Sequence, residues 1–472
     1  IELSKYSVSS AVAGTVKPCF LSPDSLKIPL MKRGWIIAAG LVATVAVGVV
    51  VVLSIPAASF RRAANELPAA EAEARRRGIP LSLTDPKLHA DLADEENAAL
   101  KLPALITRLQ AASKGNADRG KKARDFLGDP TEENRKAAIE TIKILDPILD
   151  EFVTLSRMKG MRFPRDWGTK SPYELLFPEL AHIKSIAQYL SVRAVLGAEA
   201  GRFKASLEDV KVALRLSVMV GSVPSFIGGL VRISCEAISA RAIERIASTE
   251  PNNRPLLAEL KQVIRSHQVK EFDILRFIYG EVAMAYTTCI HLRAPGKSET
   301  FDLGEEWGVY DPLRRFDEQT VQSGFAARAI QWNFRMLDAL AESANFATRY
   351  DRLQYAEDVH PRPNHWDATW LMSAIISPMY AEFYAATVAR EARLRLTWNL
   401  LKGVQQYGAP SNWPEQLNPN IGFMVDPFTE SPFLYQKDEK GILLYSPGKD
   451  LKDDGGRATK VDRQDEKETT DV

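Results

Sequence analysis

Polar and apolar positions follow two different rhythms along this chain. From Gly34 to Ile55 the chain is almost wholly apolar: 22 residues run without a charge, about 33 Å as a helix and enough for one bilayer core. Pro56 follows directly. A cleaved signal peptide has an apolar region of only about 7–15 residues and a small-residue cleavage site, so the run predicts an uncleaved transmembrane anchor over residues 31–57 that meets the lipid bilayer through residues 34–55. Met31-Lys32-Arg33 reads as a start with a short positive flank, and residues 1–30 form a tail upstream of it. Lys32 and Arg33 nearly balance Arg61 and Arg62 across the run. The shortness of the leading flank favours a cytoplasmic N-terminus and an extracytoplasmic body.

From Phe60 to about Gly408 the rhythm is helical. Asp129-Pro130, a capping residue followed by proline, predicts a helix with the apolar stripe Ile142, Leu145, Leu149 and Phe152. Ser206 with Asp209 three residues on reads as a variant capping box leading into Leu207, Val210, Leu214 and Val218. Pro224 opens a third stripe of Ile227, Val231, Ile238 and Ala242. Further helices are expected from about Lys270 to His291, Asp311 to Ala344 and Asp367 to Tyr407, the last kinked or divided at Pro378. Ala194 to Leu214, with Gly201 at the turn, reads as a helical hairpin loosely similar to a tetratricopeptide unit. No second copy appears at a 34-residue period. The fold class expected is mainly α: a helical bundle or a solenoid of helix pairs behind an N-terminal transmembrane helix, closed by a small C-terminal α+β module.

That module is read from Asp426-Pro427-Phe428-Thr429 through Pro432-Phe433-Leu434-Tyr435 and Gly441 to Tyr445, a short β-hairpin, followed by an acidic loop ending in Asp453-Asp454-Gly455-Gly456. Carboxylates and carbonyls in a flexible loop suit a hard cation such as Ca²⁺. A solvated turn leading into the polar tail 457–472 is the plainer alternative, and that tail has the composition of a disordered segment. The expected division is 31–57 anchor, 58–366 helical core, 367–456 long helix plus hairpin module, and 457–472 tail.

Composition narrows the function classes. A formal net charge of +1 leaves no basic excess to neutralise phosphates and argues against a nucleic-acid partner. Cys19, Cys235 and Cys289 have no metal or redox spacing; Cys235 and Cys289 suit either a disulfide outside the cytoplasm or two small buried thiols. His360, His365 and Asp367 lie in a proline-rich connection and carry zinc-type ligand chemistry, although Asp367 also suits a helix cap. Gly296-Lys297-Ser298 ends like a phosphate-binding loop, but His291 occupies the position of its first glycine. Ser156 and Lys159 have the spacing of penicillin-interacting enzymes without their partner motifs.

Nearly all of residues 31–456 resembles a group of bacterial membrane-anchored helical proteins. The resemblance rests on Asp94-Glu95-Glu96-Asn97-Ala98-Ala99, on Arg162-Phe163-Pro164-Arg165-Asp166-Trp167, and on the segment Gly229 to Ile238 with Arg232, Cys235 and Glu236. The C-terminal end resembles that of the major pseudopilins of type II secretion. This implies a Ca²⁺ loop with carboxylates at Asp450, Asp453 and Asp454 and carbonyls near Pro447 and Lys452, in a loop shorter than theirs. A pseudopilin also opens on a processed glycine-phenylalanine site and carries a glutamate in its apolar helix. Residues 31–55 have neither, so the chain is read as sharing the terminal module and not the subunit role.

The function expected is a non-enzymatic one: an extracytoplasmic scaffold or interaction protein at the bacterial inner membrane, working with an envelope protein partner and linked to a secretion or pilus-like system. The alternative is an envelope hydrolase using His360, His365 and Asp367.

Overall fold

The computed structural model describes residues 57–167, 177–268, 273–291, 318–341, 345–358, 369, 380–418, 421–438 and 441–456. The apolar run 34–55, the tails, Gly296 to Ser298 and the His360 to Asp367 connection lie outside the described residues. Among the described residues no helix is long and apolar enough to cross a membrane.

The described chain is mainly helical. It begins with α1 (Ala57–Arg76), α2 (Leu102–Ser113), α3 (Ala117–Asp125) and α4 (Glu132–Leu155). The middle holds α5 (Pro178–Glu199), α6 (Phe203–Val220), α7 (Phe226–Thr249), α8 (Arg254–Gln268) and α9 (Ile274–His291). Then come α10 (Glu318–Ala341), α11 (Phe346–Asp358) and α12 (Tyr380–Tyr407), followed by β1 (Leu434–Asp438) and β2 (Gly441–Tyr445). The two strands pair antiparallel from Leu434 opposite Tyr445 to Asp438 opposite Gly441, the short hairpin expected.

The stripes on α4 and α6 are buried apart from half-buried Val218, but the one on α7 is not. Ile142, Leu145, Leu149 and Phe152 are all buried on α4. On α7 Ile227 is exposed, Val231 and Ile238 are half-buried and only Ala242 is buried, because α7 packs through the face that carries Arg232, Cys235, Glu236 and Ser239. The helix starts differ, and for local reasons. Thr131, not Asp129, caps α4 by accepting the N–H of Asn134 at 3.2 Å, while Asp129 takes the Asn134 side-chain amide through its carbonyl at 2.9 Å. Ser206 is no cap at all: α6 starts at Phe203, and the Ser206 hydroxyl donates to the Arg202 carbonyl at 3.1 Å. Its small side chain sits where α5 and α6 come closest, since a Cβ on Gly197 would stand 2.7 Å from Ser206 Oγ. Ser225, rather than Pro224, caps α7 by accepting the Gly228 N–H.

Helices α5 and α6 form the expected hairpin, turning at Gly201 in a left-handed conformation (φ +72°) that suits glycine. Helix α7 packs across both. Two pairings then close the body between distant parts of the chain: α1 lies along α10, and α12 lies along α7 and α8. Phe60 meets Phe325 edge-on at 5.2 Å in the first. In the second Phe226 and Phe383 stack at 4.0 Å, with Phe277 of α9 edge-on to Phe383. The end of α12 carries the terminal module, with Trp413 buried against Gly403.

Candidate functional site

The most concentrated chemistry among the described residues is a buried ionic cluster where α7, α8 and α12 meet. Glu236, fully buried on α7, is its centre. Arg232, one turn earlier on the same helix, donates from Nε to Oε1 at 2.9 Å. His267, in the last turn of α8, donates from Nε2 to the same oxygen at 2.8 Å. Arg390 of α12 donates from Nε to Oε2 and from Nη2 to Oε1 at 3.3 Å. Arg232, His267 and Arg390 are themselves buried.

Burial by itself would raise the Glu236 carboxyl, because a low-dielectric interior penalises the charged form. The His267 hydrogen bond and the charges of Arg390, His267 and Arg232 outweigh that and hold it well below the usual carboxylate range. Such a carboxylate is a fixed anion and a poor proton acceptor. Its neighbour Cys235 is pushed up to about 12 by burial and by the Glu236 charge, and burial takes Cys289 to the same value. Both cysteines are free and buried, so they are thiols and not nucleophiles.

A second tie lies two turns further along. Glu244 of α7 accepts from Arg393 Nη2 at 2.6 Å and from the Thr397 hydroxyl at 2.7 Å, both on α12. The order of contacts, Gly229 on Phe383, Glu236 with Arg390 and Glu244 with Thr397, shows that α7 and α12 run parallel. Arg193 ties a third set: its guanidinium grips Asp209 of α6 at 2.9 and 2.6 Å and reaches Asp146 and Asp150 of α4 at 2.7 and 2.8 Å. Asp209 thus serves an inter-helix ion pair in place of the capping box expected of it.

The acidic loop is built otherwise. Asp450 accepts the N–H of Lys452 at 3.2 Å, Asp454 that of Gly456 at 3.1 Å, and Asp453 both the Gly455 N–H at 2.9 Å and the Tyr445 hydroxyl at 2.8 Å. Each carboxylate therefore folds its own piece of backbone, in the manner of an Asx turn. Pro447 precedes a single 3₁₀ turn over Gly448–Asp450, and Lys449 joins that turn to Glu382 of α12 at 2.8 Å. Among the described residues no three Asp, Glu, His or Cys side chains group closely enough to hold a metal ion. Under the loop, buried Asp426 accepts from the Ser446 hydroxyl at 2.8 Å and from the Phe428 N–H at 2.9 Å.

Of the other expected residues, Ser156 donates to the Val153 carbonyl at 2.8 Å and Lys159 bonds Glu96 at 3.0 Å, so that serine and lysine serve different partners. His360, His365 and Asp367 lie outside the described residues. His267 and Arg390 went unremarked in the sequence. The available signal was Arg232 and Glu236, four apart inside an apolar stretch, which is a pairing distance on one helix face. No family model, curated protein or solved structure matches this chain.

Proposed function

We propose that the chain is a membrane-anchored interaction or scaffolding protein of the bacterial envelope, with a rigid helical body held outside the cytoplasm. The observation that carries this reading is how the body uses its buried charges. Glu236 and Glu244 on α7 are spent on Arg390, Arg393, His267 and Thr397 of α12 and α8, and Asp209 on Arg193. Breaking such buried ties is costly, so they hold helices in one register, as a platform for partners needs. The core behaves as a bundle more than a solenoid, because its principal closures, α1 on α10 and α7 on α12, join chain-distant helices. The uncharged run over residues 34–55 supports the anchor.

The test has two arms on the full chain. Carbonate washing and reporter fusions after Gly408 read the anchor and its orientation. Cross-linking followed by purification from detergent-solubilised membranes reads the partner. The expected result is retention in the membrane, an extracytoplasmic body and one envelope protein recovered in fixed ratio. Recovery of the chain alone after cross-linking would remove the interaction role, and release by carbonate would remove the anchor.

A further inference from the structure

Where α6 gives way to α7, helix α9 holds the corner at three points. Arg276 Nη2 donates to the Ser222 carbonyl at 2.6 Å. Gly280 lies so close to Pro224 that any Cβ would overlap the Pro224 carbonyl oxygen. Glu281, next along and buried, accepts the N–H of Phe226 through Oε1 at 2.6 Å. Phe226 is the first residue of α7, so this N–H is one of those that a helix start leaves without an internal partner. Glu281 therefore caps α7 from another helix, alongside the local Ser225 cap.

We propose that Glu281 is a proton-operated latch on this corner: with its proton it closes the corner without a buried charge, and without it the charge draws in water and loosens the hold of α9. Two further features fit a latch. The corner is packed too tightly to yield by small steps, since a Cβ on Gly228 would also meet the Val223 side chain, at 2.9 Å. The Ser222 hydroxyl is buried there without a hydrogen-bond partner, which gives entering water a polar group to bind.

The surroundings leave the proton to burial. The charged and titratable groups on the elements around α9 include Asp273, Arg276, Tyr279 and Tyr286 on α9 itself, Glu71 on α1, Asp85, Lys87 and His89 at the short turn 86–88, Arg232, Glu236, Arg241, Glu244 and Arg245 on α7, Arg328, Arg335 and Asp338 on α10 and Arg390 on α12. Among the described residues none of them governs Glu281. Burial raises its carboxyl, the Phe226 N–H partly offsets this, and the result stands at about 7. The charge therefore changes in the neutral range, whereas in the unfolded chain it changes near 4.5. This inference goes beyond the platform reading and does not depend on the anchor.

Amide hydrogen exchange on the full chain in detergent tests it. Exchange over residues 222–229 is compared at about pH 6 and about pH 8, corrected for the intrinsic chemical rate. The expected result is a loss of protection of about tenfold or more at the higher pH, confined to this corner, and its absence in Glu281→Gln. Equal protection at both pH values, or the same loss in Glu281→Gln, overturns the latch. Should Glu281→Gln fail to fold, the unsubstituted chain decides across about pH 5 to 9. A transition centred between about 6 and 8 and confined to residues 222–229 supports the latch. A transition shared by the whole chain, or none, overturns it.

Discussion

Asn97 holds the backbone of Arg162 from both sides: its Nδ2 donates to the Arg162 carbonyl at 2.8 Å and its Oδ1 accepts the Arg162 N–H at 2.8 Å. The same oxygen caps Ala99 at 3.1 Å. A buried amide side chain thus stands in for one residue of a β-strand, offering one donor and one acceptor to an extended segment. The device recurs at Asn399 of α12, which donates to the Met424 carbonyl at 2.9 Å and accepts its N–H at 2.8 Å. Asn97 fastens the 160–163 segment to the helical body, and Asn399 fastens the approach to the hairpin.

Asn97→Ala is therefore expected to cost roughly 2–4 kcal/mol, because it leaves the Arg162 N–H and C=O buried or half-buried without their partner. Asn97→Asp keeps the acceptor but sets a buried carboxylate oxygen against the Arg162 carbonyl, and should cost at least as much as the alanine change at neutral pH. Urea unfolding with an unchanged slope is the measurement. A loss under about 0.5 kcal/mol in Asn97→Ala would mean that water replaces the side chain.

At the ionic cluster, Glu236→Leu should destabilise by roughly 3–5 kcal/mol, since it strips the shared carboxylate from Arg232, Arg390 and His267 at once. Adding Arg390→Met should recover part of the loss, because two apolar side chains of similar volume remove one of the buried cations with its anion. The coupling from the double-mutant cycle is the readout. Additive losses would show that Glu236 and Arg390 act independently despite their contact.

How far this could be read in advance follows from distance along the chain. The α4 stripe and the α5–α6 hairpin were legible because period 3.6 and a turn glycine are local signals. The terminal hairpin was legible from two short segments close together in the chain, Leu434-Tyr435 and Gly441 to Tyr445. Helix starts at Asp129, Ser206 and Pro224 were each misplaced: the neighbouring hydroxyls of Thr131 and Ser225 cap α4 and α7, and α6 starts at Phe203, before Ser206, with no side-chain cap. The ionic cluster was hidden for another reason. Glu236 meets His267 at 31 residues and Arg390 at 154 residues of separation, and nothing in either segment names the other. The acidic loop was visible as composition, yet its carboxylates are turned to their own amides, a geometry that composition does not carry.

The two buried glutamates give stability an opposed dependence on pH. Glu236 has its carboxyl lowered in the folded chain, so its contribution is present above the unfolded value of 4.5 and is lost as pH falls below it. Glu281 is raised to about 7, so its contribution is complete below 4.5 and is lost as pH rises from there to about 7, in total roughly 3 kcal/mol. Thermal or urea unfolding across this range should show Glu281→Gln gaining on the unsubstituted chain as pH rises towards neutrality, and Glu236→Gln losing its advantage of neutral over acid pH. A constant difference between Glu281→Gln and the unsubstituted chain from about pH 4.5 to 8 would remove Glu281 from the balance.

The joint between α12 and the terminal module rests on one missing methyl. Gly403 faces the Trp413 indole so closely that a Cβ would overlap its ring, and Trp413 is buried among the core residues, 5.4 Å from the Tyr407 ring. Its Nε1 donates to the Gly408 carbonyl at 3.3 Å, and Lys437 of β1 reaches the Trp413 carbonyl at 2.6 Å. Displacing the indole should therefore disturb both the end of α12 and the hairpin. Alanine favours a helix over glycine by about 1 kcal/mol, so an open site would make Gly403→Ala stabilising. Here overlap with a rigid ring should reverse the sign, giving a net loss of roughly 1–3 kcal/mol. Pairing the change with Trp413→Leu separates the terms: without the indole the added methyl should become neutral or favourable. If Gly403→Ala stabilises the otherwise unsubstituted chain in urea unfolding, the indole is not fixed against α12 and the hairpin is not held through it.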